Sequence, residues 1–389
     1  MERNKMERNK IILLGENHHN GLGLVRSFGV NGLKPYGIII GPGTRNSFVR
    51  KSRYWEKTWS VETEEQALEL LMMEFSSEKR KPVIIPWSDG AAEVIDSHLD
   101  QLLSFFIVPS FNRQQGEIVK LMDKQKQVEF LENAGLPMAK TWTVAFPLER
   151  VPEDLVYPCI VKPVSSYEGN KTDIRKCDSY NDLTNYLKKL ELKKYSRILI
   201  QEYLNYDYEF EFVGSCGPDP AYIISKNVRV WPVVGGTNSF LKVMVDEKCH
   251  STCRAILKFL QKKNYFGMFD IEMFFMNGKI YVNEINWRNT GNSFLCLGSN
   301  VHYAVIWYLN AIGEDTSHLL HVSNDSSQYG MNESTDIRHV VFNGYGFGKW
   351  MKDRKKTSSF ALWYIKDMKP VFAQYVYLVK EFVLHRRKG

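Results

Sequence analysis

The chain has 389 residues, 44 % of them hydrophobic and 24 % charged, the balance of a soluble globular protein with room for two or three cored domains. No apolar run approaches the roughly 18–20 residues that span a bilayer, which argues against anything more than a peripheral membrane protein. The net charge of +7 gathers late, in 349–356 (KWMKDRKK) and 385–388 (HRRK), and suits an anionic substrate, an acidic partner, a membrane surface, or simply a solvated end.

The opening MERNKMERNK repeats a charged pentapeptide, which reads as an alternative start rather than a signal peptide. Short apolar runs follow at 11–14 (IILL), 36–40 (YGIII) and 83–86 (VIIP), separated by helical patterns near 22–30, 64–75 and 90–103. This alternation predicts a parallel α/β layer over about 10–112. Gly15, Gly21 and Gly23 follow the first strand without the GxGxxG spacing, and no acidic residue closes the second strand. A tight strand-to-helix turn explains them better than a dinucleotide. Glu16, His18, His19 and Asn20 lie in that turn, as candidates to touch a substrate or as ordinary solvent-exposed residues.

Residues 123–137 (DKQKQVEFLENAGLP) form a punctuated helix, with Asp123 as cap, Val128 and Leu131 as apolar stripe, Gly135 after its end and Pro137 beyond. Strands are expected at 158–164 and 197–204, enclosing a polar loop and a helix at 179–190. Lys162 ends the first of these, before the 165–171 loop SSYEGNK. A strand-end cation followed by a Ser/Gly loop can hold phosphate oxygens, although no Walker A sequence occurs there. Gln201-Glu202-Tyr203-Leu204 ends the second, where a strand edge can read an adenine, and Glu209 beyond it could accept from ribose hydroxyls. Strands dominate 208–245, a helix covers about 250–263, 302–312 and 372–386 look helical, and 322–340 reads as loop-rich. The six cysteines at 159, 177, 216, 249, 253 and 296 form no CxxC pair. Free thiols in a reducing cytoplasm are therefore expected, rather than zinc or a disulfide framework.

The segment 269–288 (FDIEMFFMNGKIYVNEINWR) predicts a β-hairpin turning at Asn277-Gly278. Glu284 and Asn286 share a face. A strict two-residue turn opposes Glu272 to Asn283. A bulged turn, with Phe275 opposite Lys279, brings Asp270, Glu272, Glu284 and Asn286 together, and this form is expected. Two carboxylates and an amide oxygen on one face suit a hard cation such as Mg²⁺; an exposed strand with solvated acids is the plainer reading.

Taken in order, Lys124 in DKQKQVEFLENAGLP, IVKP with Lys162, QEYL at 201–204, Glu209, Glu272 and the 284–288 run EINWR resemble the ATP-grasp superfamily. They resemble in particular its carboxylate–amine ligase branch, which includes biotin carboxylase, carbamoyl phosphate synthetase and D-aspartate ligase-like proteins. The likeness covers about 113–298, and the metal-type glutamates stand twelve positions apart. It implies a mixed α/β and α+β chain. A Rossmann-like pre-ATP-grasp domain would span 1–112, an ATP-grasp domain 113–300 with a lid subdomain at about 140–203, and a C-terminal helical extension 301–389.

It further implies that Lys124 and Lys162 contact ATP phosphates under a loop containing Ser165, Ser166 and Gly169. Gln201, Glu202, Tyr203 and Leu204 would hold adenine, and Glu209 ribose. Glu272, Glu284 and Asn286 would ligate Mg²⁺ or Mn²⁺, while Arg288 would steady the transferring phosphoryl group. Two departures stand out: the phosphate loop is poor in glycine, and Trp287 replaces the usual proline. The implied activity is ATP-dependent joining of a small-molecule carboxylate to an amine in the cytoplasm. No nucleic acid is called for, and a homodimer and a membrane contact of the basic tail are left open. The rivals are an ATP-binding regulator or scaffold without turnover, and a Rossmann oxidoreductase.

Overall fold

The computed structural model describes residues 8–386 except 149, 165–172, 194, 232–236 and 343. Four parallel strands, β1 (Ile11–Glu16), β2 (Tyr36–Ile40), β3 (Thr58–Val61) and β4 (Val83–Pro86), form the first sheet in the order β3-β2-β1-β4. Their near-continuous apolar runs reflect burial on both faces. Ile11, Leu13, Ile39 and Ile85 enter one core, while Ile12, Leu14, Ile38, Ile40 and Ile84 enter another. The glycines after β1 serve packing: a Cβ on Gly21 would lie 2.7 Å from the Trp87 indole, which also covers Gly15 at φ +154°.

Strand β5 (Ser110–Phe111) leads out of this layer. An antiparallel sheet follows, built from β6 (Thr141–Ala145), β7 (Cys159–Pro163), β8 (Arg175–Cys177) and β9 (Arg197–Glu202) in the order β6-β9-β7-β8. One face is closed by Leu183, Leu187 and Leu190 of the helix Tyr180–Glu191, which Ser179 caps.

The third sheet holds eight strands. Along β14-β13-β10-β11-β12-β15-β16 run β10 (Tyr208–Cys216), β11 (Ala221–Trp231), β12 (Thr237–Val243), β13 (Tyr265–Met276), β14 (Lys279–Asn286), β15 (Tyr329–Met331) and β16 (Ser359–Phe360), and β5 pairs with β13. One face buries Phe210, Phe212, Phe269, Ile271 and Met273 against Cys253, Ile256, Leu257 and Leu260 of the helix Glu247–Lys262. Alternation then forces Glu209, Glu211, Asp270 and Glu272 to the opposite face.

Two expectations need correcting. The 322–340 segment is not loop-rich: it contains β15 and most of the helix Glu333–Phe342. Residues 301–389 add two strands to the third sheet as well as helices. The basic run at 349–356 lies in a helix, Phe347–Lys356, whose Trp350 is buried. All six cysteines are free and buried. No helix among the described residues is long and apolar enough to cross a membrane.

Candidate active site

The hairpin of β13 and β14 meets the expected convergence by an unexpected route. Asn277 and Gly278 both have positive φ (50° and 75°), and Met276 pairs with Lys279, so the turn is the strict two-residue form rather than the bulged one. Pairing continues regularly to Met273 opposite Val282. The ladder then slips by one residue, and Glu272 faces Glu284 and Asp270 faces Asn286. The bulge therefore sits at Asn283, inside the ladder. The Asn283 amide donates to Glu272 at 3.1 Å, so the extra residue also steadies a site carboxylate.

Neighbouring strands extend this row of acids. Glu211 on β10 lies directly across from Glu272 on its other side, so Glu284, Glu272 and Glu211 occupy three adjacent strands at one level. Like charges so opposed destabilise a sheet. Burial, then Glu284, Glu209 and Asp270, push the Glu272 carboxyl up to about 8. Burial also works to raise Glu284, but Lys124 and Lys162 outweigh it and hold that carboxyl below its usual range. Lys124 ion-pairs with Glu284 at 3.1 Å from the start of the helix Lys124–Glu132, which Asp123 caps through the amides of Gln125 and Lys126.

Lys162 ends β7 on the sheet face opposite the Leu183–Leu187 core, and is 8 % exposed. Burial, then Lys124, draw its ammonium down to about 8, against the pull of Glu284 and Glu272. The two lysines thus bring their charge to the acid row from different elements. Ser165, Ser166 and Gly169 lie outside the described residues.

On β9, Gln201 is buried and donates to Thr141 at 3.0 Å, while Glu202 accepts from the Lys140 amide at 3.4 Å. The Tyr203 N–H goes to the Pro158 carbonyl at 3.0 Å, and Leu204 is buried just beyond. Glu209 shares the face of Glu211 and Glu272, two pairings further along toward the end of β10 that follows this segment.

Arg288 reaches across to the first domain. Its Nε donates to Asp89 at 2.7 Å, its NH2 to Asn286 at 3.3 Å, and its NH1 lies 3.8 Å from Asp270. Asp89 opens the helix Asp89–Ser97 after β4, at the carboxyl end of a parallel strand where α/β sheets bind ligands. Asp270 is 7 % exposed and its Oδ1 has no hydrogen-bond partner. Of the residues in the β1 turn, His19 is kept neutral, first by burial and then by His18, and sits 3.4 Å from the Asn332 amide. Asn20 is largely structural: its amide donates to the Trp87 carbonyl at 3.2 Å and its carbonyl accepts from Ser293 at 3.2 Å.

Sequence reasoning missed three participants. Glu211 was legible as the second acid of the alternating YEFEF run. Asp89 was legible from its place after an apolar parallel strand. Gln127 carried no such signal. It is 3 % exposed, donates to the Ile285 carbonyl at 2.7 Å and accepts from the Ile285 N–H at 2.7 Å, and so clamps β14 between Glu284 and Asn286.

Among the described residues no three His, Cys, Asp or Glu side chains are grouped to hold a metal by themselves. The donor set is two facing carboxylates and an Asn oxygen, with the open Asp270 oxygen nearby. It fits a hard cation that completes its shell with water and phosphate oxygens, and opposed carboxylates are themselves relieved by such a cation.

Residues 129–297 match the family model of the ATP-grasp domain. The chain is 24 % identical over 255 residues to D-aspartate ligase of Enterococcus faecium (strain Aus0004), covering 59 % of this chain and 58 % of that protein. It is 23 % identical over 178 residues to formate-dependent phosphoribosylglycinamide formyltransferase of Corynebacterium jeikeium (strain K411), covering 43 % of each. The matches thus span about half the length of these curated relatives. The fold resembles N5-carboxyaminoimidazole synthetase from Staphylococcus aureus, with a TM-score of 0.63, 20 % identity and 89 % of each chain covered. It also resembles an L-amino acid ligase from Bacillus licheniformis, with a TM-score of 0.61, 14 % identity, and 79 % and 76 % covered.

Proposed function

We propose that the protein is an ATP-dependent ligase that activates a carboxylate as an acyl phosphate and joins it to an amine, a reading supported by the match of residues 129–297 to the ATP-grasp domain model. The observation that carries this reading is the meeting of Lys124, Lys162, Glu272 and the Glu284, Asn286 and Arg288 run from four separate stretches of chain.

Glu272, Glu284 and Asn286 hold Mg²⁺ or Mn²⁺ in this reading, and the cation neutralises charge on the transferring phosphoryl group when bound. Lys124 and Lys162 neutralise phosphate oxygens from the helix side and the small-sheet side, and the backbone around Glu202 and Leu204 presents donors and acceptors to adenine. Glu209 lies where a ribose would follow.

Arg288, oriented by Asp89, faces the acyl group being phosphorylated and offers bidentate donors to its oxygens. The acid oxygen takes the γ-phosphoryl group and ADP leaves. The amine nitrogen then attacks the carbonyl carbon, phosphate departs, and the nitrogen loses its proton. Positioning and charge neutralisation supply the rate, with no side-chain nucleophile. The substrates are small molecules, the compartment is the cytoplasm, and the units are 1–112, 113–300 with a lid at about 140–203, and 301–389.

ADP release measured against a panel of acids and amines tests the reading. Magnesium-dependent release should appear with one acid–amine pair and vanish in Lys162→Ala and Glu284→Ala. Full turnover in the Glu284 variant would remove the metal assignment, and tight ATP binding without release for any pair would favour a regulator.

A further inference from the structure

Charge is divided unevenly along this chain. Residues 349–389 hold 11 Lys and Arg against 3 Asp and Glu, a net +8 that exceeds the +7 of the whole protein. Two of those three acids are consumed internally. Asp353 is bound by Arg229, Tyr345 and Lys356, and Asp367 by Arg26, Ser52 and the Arg53 amide. Lys349, Lys352, Lys355, Lys366 and Lys369 are all exposed.

The same region shows large apolar side chains to solvent. Phe347 is 62 % exposed, Ile365 74 %, Phe372 64 %, Val376 55 % and Tyr377 55 %. The elements that carry them meet around Arg354, which lies over the rings of Trp350, Phe360 and Trp363 and within electrostatic reach of Tyr375, and Phe347 packs on Trp350. At the base of the helix Lys369–Arg386, Val371 enters the core and Asp367 just before it is bound by Arg26 and Ser52, while 375, 376 and 377 in succession are exposed.

We propose that the helix Phe347–Lys356, the 363–366 turn and the 369–377 start of the last helix form a docking surface for a bilayer bearing anionic lipid, on which the protein lies peripherally. Aliphatic and aromatic side chains ringed by lysines match the boundary between headgroups and acyl chains, where burial of apolar area and attraction to lipid charge add. A second copy of this chain would bring two surfaces of like charge together. A nucleic acid would need the lysines but would leave Phe372, Val376 and Ile365 in water.

Co-sedimentation of the full chain with vesicles tests this, comparing phosphatidylcholine alone with phosphatidylcholine plus phosphatidylglycerol. The protein should sediment only with the anionic vesicles, and less so as salt rises. Lys349→Gln/Lys352→Gln/Lys355→Gln should bind about a hundredfold more weakly, at about fivefold per lysine. Phe372→Glu/Val376→Glu should lose binding while keeping the parent's melting temperature. The proposal falls if anionic vesicles leave the protein in solution or if neutral vesicles bind it equally. It falls also if the Phe372→Glu/Val376→Glu variant binds like the parent, which is the behaviour of a site for polyanions. Light scattering showing a dimer that this variant dissolves would assign the surface to self-association and overturn it as well.

Discussion

Two buried ionic assemblies in this protein obey opposite rules. Around Asp367, opposite charges meet: Arg26, itself fully buried, donates to the carboxylate at 3.0 Å, and Ser52 and the Arg53 amide complete the set. Around Glu272, like charges meet, since Glu211 and Glu284 flank it on adjacent strands and Asp270 stands two pairings away. The first arrangement pairs opposite charges, leaving only Nη1 of Arg26 without a partner among the described residues, and fastens Asp367 to the layer of the first sheet. The second sets acids against one another, with Lys124 and Lys162 offsetting the charge from one side, an arrangement whose repulsion is not cancelled within the row itself. Satisfied charge marks a joint; opposed charge marks a site.

The contrast can be broken most directly by neutralising the acid row. Glu272→Gln/Glu284→Gln should lower magnesium-dependent ADP formation ~10³-fold or more, about 4 kcal/mol of transition-state stabilisation, while thermal stability holds or rises. A fall in melting temperature equal to that of a core mutant would mean that the row is structural. The reverse holds at the joint. Arg26→Met strands Asp367 and should cost about 3–5 kcal/mol by urea unfolding, with catalytic constants of the remaining folded protein little changed.

A pH series sharpens the same division. His302 is buried against Ser27 at 2.8 Å, and burial draws its imidazole from 6.5 down to about 4. The unfolded chain binds the extra proton between those values, so the neutral ring's contribution is complete above pH 6.5 and is lost as pH falls toward 4. This loss should be on the order of 3 kcal/mol, and His302→Asn should flatten the slope of stability against pH in that window. The smallest effect is expected where joint and site touch. Gln127→Leu leaves the Ile285 backbone unpaired, at about 1–3 kcal/mol, and should raise the magnesium requirement for activity more than it lowers the limiting rate.

Much of this was legible beforehand, and the failures have physical reasons. β1, β2 and β4 announced themselves because strands buried on both faces leave uninterrupted apolar runs, and Asp123 marked its helix because a cap is a local interaction. β15 could not be read from three residues, since its pairing with β12 and β16 is decided by tertiary contact. The 349–356 run hid its anchors because the helix is held by Trp350 and by Asp353, and the Arg229 that binds Asp353 is 124 residues away. At the hairpin the grouping of Glu272 with Glu284 was right but its cause was not. An Asn-Gly pair admits more than one turn, and nothing local to Asn283 distinguishes a bulge there. Gln127 was invisible because its partner is the main chain of a strand 158 residues away.

The slip at Asn283 has a consequence for how such a hairpin can change. With the extra residue placed beside the carboxylates, the spacing between their strands is set locally, and the loop tip about 17 Å distant by strand rise is free of that duty. Sequence drift at Asn277-Gly278 would alter how fast the ribbon closes without moving an oxygen that a cation sees. A change at Asn283 would do the opposite, leaving closure intact and loosening Glu272.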